Sequence, residues 1–106
     1  MFKNKRFITC GVNNEIPLIL HLTMWSLIDE LEIPKDYLQI FELNESEGHQ
    51  KITHSQEQPT YKKEYLLKTD APFIYAKIYV IDDGEHSTML LSSEYWKEKK
   101  VETKNK

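Results

Sequence analysis

Five neighbouring residues carry groups that could do acid–base chemistry: Asp82, Asp83, Glu85, His86 and Ser87. A carboxylate that orients an imidazole, with a hydroxyl close by, is the pattern of a general acid–base or nucleophilic site. Such a site needs a cleft that excludes water and tunes a pKa toward neutral. Here the group straddles Asp83-Gly84, a hairpin-turn signal between two β-rich runs, and a hairpin tip has no walls. Asp82, Asp83, Glu85 and His86 are therefore a candidate polar cluster that reads first as a solvated acidic turn. A small enzyme built on it is the alternative function.

The other reactive residues offer less. His49 and His54 are five apart, so on a regular strand they point to opposite faces and cannot share an ion. The chain has no Cys-x-x-Cys, His-x-x-x-His or Glu-x-x-His spacing, so neither a metal nor a cofactor is expected. Cys10, the single cysteine, has only a glycine beside it and no cationic neighbour to activate it, which makes it a small strand residue. Lys62-Lys63 between Tyr61 and Tyr65 has the basic-aromatic interleaving of single-strand binders. Adjacent strand lysines diverge, however, and 14 basic against 17 acidic residues leave a net charge of −3. A nucleic-acid accessory role is disfavoured on that balance.

These groups must be positioned by a chain of 106 residues, 40% hydrophobic, with 3 Gly and 4 Pro, enough for one core. Residues 1–96 are expected to form a single domain and 97–106 a charged, disordered tail. No signal peptide or apolar run of spanning length is visible, so a cytoplasmic protein is expected. Residues 6–12 read as a first strand. Asn13-Asn14-Glu15-Ile16-Pro17 is a helix-start signal, and the helix should run from Pro17 to about Leu31, ending before Pro34. Strands follow at 36–43, at 49–58 (a polar run suited to an edge) and at 61–68, then the hairpin, and Ser92-Ser93-Glu94 caps a short helical segment through Tyr95 and Trp96. The order β-α-β-β-β-β-β is an α+β fold, with a mainly antiparallel, curved sheet on one long helix.

Two patterns refine this. In the hairpin, Ile81 is expected opposite His86, Val80 opposite Ser87, Ile78 opposite Met89 and Ala76 opposite Leu91. That even register unites Ile74, Ala76, Ile78, Val80, Met89 and Leu91 on one face and leaves an amphipathic face with Tyr75, Tyr79 and Ile81. On the helix, Leu20, Met24, Leu27, Ile28 and Leu31 form one stripe and Leu18, Leu22 and Trp25 a second. So broad an apolar arc needs a curved sheet, a fold-back of Tyr95 and Trp96, a second copy or a partner to cover it. His21 lies inside the arc and reads as a buried neutral histidine bonded to a backbone carbonyl.

The runs Phe2-Lys-Asn-Lys-Arg-Phe-Ile-Thr9, Gly11-Val12 with Glu15-Ile-Pro17, Asp36-Tyr-Leu-Gln39, Gln56-Glu57 with Tyr61-Lys-Lys-Glu-Tyr65, and Lys77-Ile-Tyr-Val-Ile-Asp-Asp-Gly84 through His86-Ser-Thr-Met-Leu-Leu91 together resemble a family of small uncharacterised proteins of low-GC Gram-positive bacteria such as staphylococci and enterococci, domain of unknown function 960. The resemblance implies a bacterial cytosolic protein and brings no activity, cofactor or catalytic residue with it. The reading that emerges is a protein-binding or adaptor module whose partner is an unidentified protein or a second copy, with no membrane role expected and a nucleic-acid accessory role as the disfavoured second alternative. Its candidate surface is Leu18, Leu22, Trp25, Tyr75, Tyr79 and Ile81, because Trp and Tyr dominate interface energetics.

Overall fold

A computed structural model describes residues 1–95. The strands β1 (Lys5–Ile8), β2 (Leu38–Ser46), β3 (His49–Gln56), β4 (Tyr61–Leu67), β5 (Ala76–Asp82) and β6 (His86–Leu91) form one sheet in the order β1-β6-β5-β2-β3-β4. All neighbours pair antiparallel except β1, which runs parallel to β6. The fold is α+β, and the sheet stays open, with β1 and β4 as its edges. Between β1 and β2 the chain crosses one face through a short helix α1 (Cys10–Glu15) and the long helix α2 (Leu18–Asp29).

Helix α2 starts where Pro17, in extended conformation, serves as N-cap without an N–H to satisfy, and it ends at the αR cap Glu30, before Pro34. Its Leu20, Met24 and Ile28 fill the core with Phe41, Leu43, Ile52, Ile78, Val80, Met89 and Leu91. Phe2 joins them from the N-terminus, fully buried. His21 is buried as well, its ring Nε2 within 3.3 Å of the Val12 carbonyl.

Four expectations are corrected. Residues 10–12 are helical, not strand, as the first part of α1. The Thr9 hydroxyl accepts the Val12 N–H, a capping bond that ends β1 and turns Val12 into the core. Asn13 and Asn14 consequently lie inside α1 and do not cap the long helix. The polar run at 49–56 is an interior strand, because its buried Gln50, His54 and Gln56 bond to other protein groups.

In the hairpin, the fourth case, Val80 pairs with Met89, Ile78 with Leu91 and Asp82 with Ser87, two residues along β6 from the expected partners. The two-residue loop is Gly84-Glu85, closed by the Asp83 N–H on the His86 carbonyl at 3.0 Å, with Gly84 at φ +101°. Glycine is required at the first central position of such a loop. A slip of two preserves the faces, so Val80 and Met89 are core residues while Tyr79 lies on the reverse face. Residues 92–95 are helical, and Tyr95 packs edge-on against Tyr79, centroids 5.6 Å apart. Tyr95 thus covers the reverse face of the sheet, not the helix. Trp96 and the expected tail lie outside the described residues.

Candidate functional site

The polar cluster does not converge on one point. Asp82 continues the core-facing series Ile78, Val80, and its carboxylate accepts the Phe2 N–H at 2.7 Å, the Gly84 N–H at 2.8 Å and the Asn4 side-chain amide at 3.0 Å. Burial by itself raises this carboxyl, but the three donors overcome it and hold the pKa below its ordinary value. Asp83 is also lowered, first by the His86 and then by the Glu85 N–H groups that its carboxylate accepts across the turn. His86 stands on the opposite face from Asp82, edge-on to Phe7 at 5.2 Å, with its Nδ1 4.0 Å from the Asp83 carboxylate. Glu85 is exposed in the loop. Ser87 donates to Asn4. The lone pairs that acid–base chemistry would use are spent on tying the N-terminal segment and the turn.

A second polar group, not anticipated from the sequence, lies inside the sheet. His54 stacks on Phe41 at 4.4 Å, and its Nε2 lies 2.6 Å from the Gln39 side-chain oxygen, since the Gln39 amide nitrogen donates to Gln56 and to the Asp36 carbonyl. Nδ1 is buried without a hydrogen-bond partner among the described residues, and desolvation lowers the imidazole pKa to about 4. Tyr61 lies edge-on to this ring, and its phenol is raised to about 12 by burial and by its bond to the Tyr65 hydroxyl at 3.3 Å. The signal for this network was present: Gln39, His54 and Gln56 occupy alternate, core-facing strand positions.

The apolar candidates divide. Leu18 and Leu22 are 67% and 56% exposed. Trp25, one turn on, is buried at 8% within the core cluster, and the Arg6 guanidinium lies 4.7 Å over its ring. Arg6 also donates to the Phe2 carbonyl and pairs with Asp29, so it closes the core between β1 and the end of α2. Tyr79 and Ile81 are half-buried on the reverse face, and Tyr75, exposed, precedes β5.

Leu18 lies beside the edge strand β1, whose four residues are all exposed, and Leu22 follows one helical turn on. Thr9 donates to the Met89 carbonyl, so by strand alternation the main-chain groups of Lys5 and Phe7 face β6 and those of Arg6 and Ile8 face outward. Ile8, on the core side of the sheet, lines an open groove of about 410 Å³ with Asn14, Ile16, Leu18 and His21. The flank therefore combines main-chain groups that pair with no strand among the described residues, a groove lined by Ile8 and Leu18, and exposed Leu22 one helical turn beyond Leu18. The other edge, β4, carries Lys62, Lys63 and Glu64 along its length.

A family model described as staphylococcal protein of unknown function (DUF960) matches residues 5–94. Among solved structures, the chain is similar to the crystal structure of a protein of unknown function from Enterococcus faecalis. The two are 28% identical over 86% of this chain and 90% of that one, with a TM-score of 0.77. No curated protein matches.

Proposed function

The chain belongs to this DUF960 family, and because that membership assigns no chemistry we propose, from the geometry, that it is a small cytoplasmic protein-binding module whose docking surface is the β1 edge with the adjoining flank of α2. One observation carries the reading: Ile8 and Leu18, both exposed, line one groove along a strand edge with outward main-chain donors and acceptors, and exposed Leu22 follows Leu18 one helical turn on. Apolar rows of this kind mark association sites, and an open edge adds backbone hydrogen bonds that an extended segment can complete. Among the described residues no helix is long and apolar enough to cross a membrane. In the cytoplasm the exposed Cys10 stays a free thiol.

The test is a photo-crosslinking amino acid placed at Leu22 in staphylococcal cells, with the same probe at exposed Lys62 as control. The expected result is a discrete crosslinked protein from Leu22 and none from Lys62. Absence of a product at both Leu22 and Leu18 refutes the reading.

A further inference from the structure

We infer that the segment docked on this flank is β1 of a second copy of the chain, paired antiparallel about a twofold axis through Phe7. The inference rests on the docking reading above and specifies its partner. Main-chain bonds across the axis can form only between outward-facing residues, Arg6 and Ile8 of each copy. Three symmetric registers achieve that. One sets Arg6 against Arg6, a direct like-charge pair that destabilises the ladder. A second sets Ile8 against Ile8 but drives Arg6 opposite Cys10, which already belongs to α1, so one pair remains. The third sets Arg6 of each copy against Ile8 of the other and closes two hydrogen-bonded pairs around the axis.

The third register also satisfies the side chains. Phe7, 47% exposed on the reverse face, meets its own symmetry mate at a non-hydrogen-bonded position, where cross-strand side chains approach most closely and aromatic pairs gain. Lys5 falls opposite Thr9 of the second copy. The Thr9 hydroxyl donates to the Glu94 carboxylate, so the ammonium of one copy meets a carboxylate of the other. On the core side, Leu18, which lines one groove with Ile8, lies beside the seam in both copies. The joined edges make one continuous twelve-stranded sheet that leaves two charged β4 strands as its outer edges, the arrangement that resists further addition.

The test uses the full chain. Sedimentation equilibrium should show a dimer that dissociates on dilution, and hydrogen exchange should show the Arg6 and Ile8 amides protected only in the dimer. Phe7→Cys in a Cys10→Ser background should oxidise to a covalent dimer. Lys5→Cys in the same background should not, because it faces Thr9 and not itself. Phe7→Lys should weaken association at least tenfold. A wild-type chain that stays monomeric at millimolar concentration, or crosslinking through Lys5→Cys in place of Phe7→Cys, overturns the inference. If a monomeric chain still captures a different protein through the Leu22 probe, the docking reading survives and the second copy does not.

Discussion

Replacing Asp82 by Ala should release the N-terminal segment from the core, and the cost can be worked from its three bonds. Each bond to a charged acceptor contributes about 1.5–3 kcal/mol, and a buried donor left without its acceptor costs about 1–3 kcal/mol. The Gly84 N–H lies in a turn where water can replace the carboxylate. The Phe2 N–H is buried and the Asn4 amide is partly so, which makes these two bonds decisive. The expected loss is about 2–4 kcal/mol, a large share of the about 5–15 kcal/mol of a typical domain. Urea unfolding followed by fluorescence should show a lower midpoint with an unchanged slope. A double-mutant cycle then asks how the loss arises. Phe2, fully buried, should cost about 3–5 kcal/mol when cut to Ala. If Asp82 acts by seating Phe2, the double variant should lose about 1 kcal/mol or more less than the sum. Strict additivity would sink the argument. The pH dependence has a defined sign: the folded carboxyl titrates below the ordinary 3.8. Its contribution is therefore complete above that value and is lost as pH falls through the folded pKa. Asp82→Asn should remove that part of the acid sensitivity.

Met89→Ala in the buried strand position should cost about 2–5 kcal/mol by calorimetry, whereas Thr88→Ala on the reverse face should cost well under that; equal losses would contradict the observed faces. Arg6→Ala should expose Trp25 and red-shift its emission, and an unshifted spectrum would show that another group covers the indole. For His54, the folded pKa of about 4 lies below the ordinary 6.5, so the unfolded chain takes up the proton first. The stability tied to neutral His54 is thus complete above 6.5 and drains away as pH falls toward about 4. His54→Gln should flatten that stretch of the stability curve, and an imidazole titrating near 6.5 by NMR would refute the assignment.

How much of this was legible varied with how local the cause was. The long helix followed from Leu20, Met24 and Ile28 at helical spacing and from Pro17 and Pro34 as its bounds. The faces of β5 and β6 followed from two-residue alternation, which survives a slip of two. Asp83-Gly84 by itself suits a common turn one residue earlier than the observed Gly84-Glu85 loop, where Asp83 uses its carboxylate to accept the Glu85 and His86 N–H groups. Thr9 is the instructive miss. A β-rich run through Val12 was cut by one hydroxyl whose capping bond depends on where Val12 can be buried.

The sequence by itself determined the α+β class, the antiparallel hairpins β2-β3, β3-β4 and β5-β6, the buried stripe of α2 and the bonded state of His21, because each depends on periodicity or on nearby chain; the pairing of β5 with β2 in place of β4 was not among them. Strand order was decided only in three dimensions. Nothing local says that β6 slides between β1 and β5, which makes β1 an edge, because that position depends on pairings some eighty residues apart. The same long-range pairing brought Asp82 to the Phe2 N–H and Arg6 over Trp25. It buried one member of the Leu18, Leu22, Trp25 stripe and left the other two exposed, because exposure is a property of what the rest of the chain covers.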